Sequence, residues 1–118
     1  MPPMKKGSWP KPSIELIELL DQHISRFQAE KKVMFGAPCY FIHGNMFAGI
    51  FSNVLFARLS IQDRERLDRE RLGDFFEPVQ GRRMNEYRTL GRKVLEDPKV
   101  LDAWLERSYS YASSLKPK

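Results

Sequence analysis

The sequence predicts an α+β domain in which an antiparallel meander packs against helices. Residues 32–60 combine β-branched and aromatic residues with frequent turn signals, whereas the segments before and after them carry apolar residues at helical spacing. Strands and helices are therefore segregated along the chain, and 118 residues suit one domain with one core. We expect the element order α-β-β-β-α-β-β-α.

The chain opens with a tail that leads into the first helix. Residues 1–12 contain four prolines and show no periodicity, so we expect a flexible, basic, proline-rich tail. Ser13 then suits the N-cap of the helical segment SIELIELLDQHISRF. The apolar residues of this segment recur every three or four positions and predict one buried face: Ile14, Ile17, Leu20, Ile24 and Phe27.

The predicted meander follows this helix. Its apolar segments read KVMFG, CYFIH, MFAGIF and VLFARLS, and they are separated by Gly-Ala-Pro, Gly44-Asn45 and Ser52-Asn53. Such turn residues favour tight hairpins, so the segment predicts three or four short strands.

A charged helix, two strands and a last helix complete the prediction. The segment IQDRERLDRERL is capped by Ser60, and Gly73 is the expected stop of this helix. Short strands are predicted near FFEPV and RMNEYRTL, with a turn at Gly81 between them. Asp97-Pro98 provides the N-cap and the first residue of the last helix.

The formal charge of +5 is confined to the two ends of the chain. Without the lysines of the ends, basic and acidic residues balance. Basic tails can hold a polyanion weakly, but they are more often solvated ends. The lysines concerned are Lys5, Lys6, Lys11, Lys116 and Lys118.

Residues that could carry chemistry are sparse. Cys39 and His43 share one predicted strand face, but two ligands do not make a zinc site, and Cys39 in an apolar strand is expected to be a buried, inert thiol. No nucleophile elbow, phosphate loop or dinucleotide fingerprint occurs. We expect no enzyme activity, no metal and no cofactor. The single cysteine, and the lack of a signal sequence or long apolar run, predict a cytoplasmic protein.

Residues 76–88, FEPVQGRRMNEYR, are the strongest candidate for a site. In a structural interpretation they form a hairpin turn at Gly81, and the arginines pair with neighbouring glutamates. In a functional interpretation four side chains form a rim that binds an anion or a peptide. Strand alternation would divide these residues between two faces. The four candidates are Arg82, Arg83, Glu86 and Tyr87.

Three blocks resemble a known family. MFGAPCYFIHGNMFAGIF (34–51), FEPVQGRRMNEY (76–87) and LEDPKVLDAWLERSYSYASSL (95–115) look like the TfoX N-terminal domain family in order and spacing. The resemblance implies one domain over residues 13–116, with a secretion-chaperone-like α+β arrangement. The namesakes are bacterial competence regulators, in which a second, helix-hairpin-helix-like domain follows; this chain is similar to single-domain members. The family supplies no catalytic residues.

Two functions from different classes follow. The first is a small non-catalytic regulatory module that acts through protein contacts, using sheet edges or the meander aromatics Tyr40, Phe47 and Phe51. Exposed aromatics would also permit a homodimer, although a full core would use the same residues. The second is a weak nucleic-acid-binding accessory that uses the basic tails and the arginine-rich stretch 58–93. Only the second should lose affinity steeply with added salt.

Overall fold

The structure is a computed structural model that describes residues 9–118 of the chain. The α+β class is confirmed. The meander has four strands, where the expected order has three, and a short helix precedes the last one. The elements are α1 (Ile14–Ile24), β1 (Glu30–Met34), β2 (Ala37–Ile42), β3 (Asn45–Phe51), β4 (Val54–Arg58), α2 (Ile61–Arg69), β5 (Gly73–Phe75), β6 (Tyr87–Leu90), α3 (Arg92–Leu95) and α4 (Pro98–Ser114).

All six strands form one antiparallel sheet with the order β1-β2-β3-β4-β6-β5. The meander occupies the first four positions. Strand β6 then returns beside β4, which places β5 at the far edge. The sheet therefore ends in β1 on one side and in the three-residue β5 on the other.

Helices α1 and α4 cover one face of this sheet, and the main core lies between these helices and the sheet. Leu20 of α1 and Leu105 of α4 pack with meander residues such as Leu55. The meander aromatics belong to this core: Tyr40 is only 6% exposed and Phe47 is 0% exposed. The expectation that these two aromatics are exposed is therefore wrong, because the core between sheet and helices needs their bulk.

The opposite face of the sheet carries a second apolar cluster, which the segment 76–86 covers. The ring of Phe76 stacks on that of Phe56, with the ring centroids 4.2 Å apart. Trp9 packs edge-on against Phe35 and Phe51, at centroid distances of 5.5 and 5.9 Å. Of the tail predicted to be flexible, residues 1–8 lie outside the described residues, whereas Trp9 is packed against the sheet.

A β-bulge in the meander sends two neighbouring carbonyls to opposite sides of the sheet. The pairing of β2 with β3 passes from Tyr40–Ala48 to Phe41–Met46, so Phe47 is the extra residue. The Ser108 hydroxyl on α4 donates to the Phe47 carbonyl at 2.6 Å. From the other face, the Tyr87 hydroxyl donates to the Met46 carbonyl at 2.8 Å. Both buried carbonyls of the bulge are thereby satisfied.

The predicted caps are present, but α2 ends earlier than expected. Ser13, Ser60 and Asp97 each accept a backbone N–H in the first turn of their helices. Helix α2 stops before the expected Gly73, because Arg71 takes the left-handed conformation with φ 56°. The N–H of Leu72 then donates to the Leu67 carbonyl at 3.0 Å, as in a Schellman cap.

The second strand of the last hairpin also begins later than predicted. Residues 76–86 form a compact loop, and β6 starts only at Tyr87. The Met84 N–H donates to the Phe76 carbonyl at 2.9 Å, and Val79 and Arg82 form an isolated bridge. The loop thus closes on its own backbone instead of joining the ladder, and the strand alternation predicted for residues 82–86 is wrong.

Candidate functional site

The candidate residues of segment 76–88 lie in three different environments. Tyr87 is 8% exposed, and its hydroxyl is held by the bulge in the meander. Burial raises the pKa of the Tyr87 phenol to about 12. The positive charge of nearby Arg58 lowers this pKa, but it offsets only part of the rise. Tyr87 is therefore placed in the interior, away from the exposed candidates.

Glu86 faces the side of the molecule where α2 and α4 meet. Its carboxylate accepts from the Arg58 guanidinium at 2.7 Å and from the Tyr111 hydroxyl at 3.4 Å. The Arg58 side chain is only 16% exposed, so this pair is partly shielded from water. Glu86 is thus joined to the end of β4 and to α4, and not to Arg82 or Arg83.

Arg88 holds this region together, although its position in the sequence places it only in the segment 76–88 and in the basic stretch 58–93. The residue is 6% exposed, and its guanidinium binds both oxygens of Asp68 on α2, at 2.9 and 3.0 Å. It also donates to the carbonyls of Asn85 and Tyr87, each at 2.9 Å. Local pattern does not separate a buried arginine from an exposed one, because the partner carboxylate comes from a distant helix.

The two remaining candidates form an exposed surface at the β5 edge of the sheet. Phe75 is 47% exposed, and the guanidinium carbons of Arg83 and Arg88 lie 4.0 and 4.3 Å from its ring centroid. These distances are those of cation–π contacts. Arg82 lies in the same loop and is also exposed. We call Phe75, Arg82 and Arg83 the Phe75 surface.

The positive charge of the Phe75 surface is only partly neutralised. Arg83 is 3.6 Å from Glu77, which also accepts the Gly81 N–H at 3.2 Å and so is committed to the turn. Arg82 has no ion pair with any residue between 9 and 118. A group with negative charge could therefore approach this surface without displacing a strong internal contact.

Two open grooves flank the exposed side of α4. The first has a volume of about 570 Å³ and is lined by hydroxyl groups, among them those of Ser60 and Tyr111. Of its charged residues, Asp63 and Arg107 are paired with each other at 2.9 Å, and Glu106 is 3.4 Å from Arg26. The second groove, of about 540 Å³, is lined partly by Phe27. Neither groove brings an unpaired carboxylate next to a nucleophile or a base.

Cys39 and His43 are not brought together. Cys39 is fully buried, and burial raises the pKa of its thiol to about 12, whereas His43 lies exposed in the turn between β2 and β3. Within residues 9–118 no three His, Cys, Asp or Glu side chains are grouped so that they could hold a metal ion. The same residues contain no helix that is long and apolar enough to cross a membrane.

Half of the ten basic residues in the stretch 58–93 are paired with carboxylates. Arg88 and Arg58 are in short pairs, and three other arginines are within 3.6 Å of a glutamate. Paired guanidinium groups have less charge to offer to phosphates. The five ion-paired arginines are Arg58, Arg66, Arg83, Arg88 and Arg92.

The fold and its surfaces define a small α+β domain with helices on one face of a six-stranded antiparallel sheet. The model of a family described as the TfoX N-terminal domain matches residues 22–112, which is most of the chain, so the chain belongs to the TfoX N-terminal domain family. Membership in this family makes it a competence-regulator-like domain. The comparison with curated proteins and the comparison with solved structures each found no match.

Proposed function

We propose that this domain is a non-catalytic regulatory module that binds a protein partner through the Phe75 surface. The observation that carries the proposal is the half-exposed Phe75 ring beneath the Arg83 guanidinium, with Arg82 beside it in the same loop. Aromatic and arginine side chains are the residues that most often dominate protein–protein binding energy. The cationic rim favours a partner that presents carboxylates around an apolar patch.

The loop that presents these side chains is held in place before any partner arrives. Phe76 is anchored in the second apolar cluster, Met84 bonds back to the Phe76 carbonyl, and Arg88 fixes the loop end through the Asn85 carbonyl. Binding to a preorganised loop costs less conformational entropy than binding to a mobile one. The structural interpretation of residues 76–88 and a binding role are therefore compatible, since different side chains serve each.

A nucleic-acid role is the less favoured alternative. Five of the ten basic residues of the stretch 58–93 already pair with carboxylates, which halves the number of cations there that are free for phosphate contacts. A polyanion would then depend on the tails, and its affinity would fall steeply with salt because bound counterions are released.

The test compares two double variants in affinity capture from host lysate, after nuclease treatment and at low and high salt. Arg82→Ala/Arg83→Ala removes the rim, and Arg69→Ala/Lys93→Ala removes the same charge from two other exposed residues. We expect the wild type and the control to retain a protein partner at high salt and the rim variant to lose it, with nearly unchanged melting temperatures. Equal capture by both variants contradicts the proposal, and so does recovery of nucleic acid alone.

A further inference from the structure

The opposite edge of the sheet carries a strand that is exposed along its whole length. All five residues of β1 are exposed, and β2 is its only strand partner among residues 9–118. Val33 is 76% exposed and Met34 39% exposed. An edge strand offers unpaired backbone groups and is a ready template for a further strand.

The turn after β1 determines which backbone groups point outward. Phe35 and Gly36 have φ values of 58° and 74° and form a two-residue turn closed by the pair Met34–Ala37. In an antiparallel pair, hydrogen-bonded and non-hydrogen-bonded residues alternate from the closing pair. Lys31 and Val33 therefore direct their N–H and C=O groups away from β2. The partner of Val33 is Pro38, which has no N–H to donate.

Two lysines lie along this edge, with one acidic residue, Glu30, at its start. Lys31 and Lys32 are exposed on β1 itself, and they lie 3.2 and 3.3 Å from the exposed carboxylate groups of Asp21 and Glu30. Their ammonium groups are also 5.8 and 5.0 Å from the rings of Tyr40 and Phe41. Exposed ion pairs of this kind contribute little to stability, so the lysines can exchange these carboxylates for those of a partner. Two described residues from the ends of the chain, Trp9 and Lys118, also lie near the β1–β2 hairpin. Trp9 packs against its turn at Phe35, and the Lys118 N–H donates to the His43 carbonyl at 2.9 Å, just past the end of β2.

Two other occupants of the edge lack suitable charge. Antiparallel pairing of two copies of β1 centred on Lys32 would place Lys32 opposite Lys32, and pairing centred on Lys31 would oppose Lys31 to Lys31. Pairing centred on Val33 would avoid opposed lysines but would confine the new ladder to three residues, because Phe35 already belongs to the turn. Like charges directly opposite each other are destabilising. Residues 1–8 of the chain contain two lysines and no acidic residue.

We propose that β1 binds an extended acidic segment of a partner protein, which joins the sheet as a seventh strand. The segment runs antiparallel to β1 and bonds to the outward groups of Lys31 and Val33. Its carboxylates lie opposite Lys31 and Lys32, and its apolar side chains lie beside Val33 and Met34. This site is independent of the Phe75 surface, because β1 and β5 are at opposite edges of the sheet.

The probe is a blocked synthetic peptide with the core sequence Ile-Val-Glu-Glu-Lys, and the readout is amide hydrogen exchange by NMR. We expect saturating peptide to slow exchange of the Lys31 and Val33 amides by at least about tenfold. Two control peptides should fail: one with the glutamates replaced by lysine and the lysine by glutamate, and one N-methylated at the glutamates. No protection at roughly 1 mM peptide, or equal protection by the charge-reversed control, overturns the proposal.

Two variants of one residue separate binding from folding. Val33→Pro removes an outward N–H and no bond of the ladder, and proline is tolerated at such edge positions, so we expect peptide affinity to fall at least about tenfold with the sheet intact. Val33→Ala should keep affinity within about threefold. If Val33→Pro unfolds the domain, binding of the N-methylated peptide to the wild type is the test instead, and protection equal to that given by the unmodified peptide overturns the proposal. The double variant Arg82→Ala/Arg83→Ala should bind the peptide with the affinity of the wild type, whether or not the Phe75 surface binds a partner. A loss of peptide affinity in this variant also overturns the proposal.

Discussion

Replacing Arg88 should be among the most damaging single changes in the domain. Arg88→Met keeps the length of the side chain but removes a guanidinium that makes two bonds to Asp68 and two to backbone carbonyls. Removing one partner of a buried ion pair costs about 3–5 kcal/mol. The Asp68 side chain is 40% exposed and can rehydrate, so we expect a loss of about 3 kcal/mol in the free energy of unfolding.

Urea denaturation followed by circular dichroism measures this loss, and a thermal melt should show a decrease of roughly 12 °C. The matched control is Arg92→Met, because the pair of Arg92 with Glu96 is 3.4 Å long and both side chains are highly exposed. We expect the control to change stability by less than about 0.5 kcal/mol. A loss below about 1 kcal/mol for Arg88→Met, or one equal to that of the control, would refute the assignment of Arg88 as the main tie between α2 and the loop.

A double-mutant cycle tests the partner directly. If the Asp68 contact carries much of the effect, Asp68→Ala and Arg88→Met should not add, and their coupling energy should be about 1–2 kcal/mol. Additive losses would mean that Arg88 acts mainly through the carbonyls of Asn85 and Tyr87.

The remaining predictions concern alkaline pH and one helix end. The free energy of unfolding should fall as pH rises from about 9 toward 12, because the thiol of Cys39 and the phenol of Tyr87 have ordinary pKa values of 9.0 and 10.0 but hold their protons to about 12 in the folded domain. Tyr87→Phe should make this fall shallower in urea titrations at pH 8 and 11, while costing about 1–3 kcal/mol at neutral pH through the lost bond to Met46; an unchanged slope would contradict the assignment. Arg71→Gly should raise the free energy of unfolding by about 0.5 kcal/mol, because glycine adopts a positive φ without strain; a loss in urea denaturation would show that the Arg71 side chain contributes more than its backbone costs.

The loop 76–86 shows how one segment serves both the fold and a surface. Its apolar residues close the second cluster, whereas its arginines remain outside. The question raised by FEPVQGRRMNEYR has therefore no single answer for the whole segment. Tyr87 and Arg88 stabilise the structure, and the role of Arg82 and Arg83 is the subject of the capture experiment.

The sequence alone determined the features that depend on near neighbours. The caps at Ser13, Ser60 and Asp97, the Ser52-Asn53 turn and the α+β class could all be predicted, because each depends on the conformational preferences of residues a few positions apart. The other two meander turns lie at Phe35-Gly36 and His43-Gly44, one residue earlier than predicted. The family resemblance rests on the same short blocks, and the match over residues 22–112 agrees with it.

Only the tertiary structure decided the features that depend on distant residues. The bulge at Phe47 needs hydroxyl groups from Ser108 and Tyr87, and the burial of Arg88 needs a carboxylate from α2. The loop 76–86 leaves the ladder because the second apolar cluster holds Phe76. No local periodicity contains this information, since the free energy of each contact is gained only when chain folding brings the partners together.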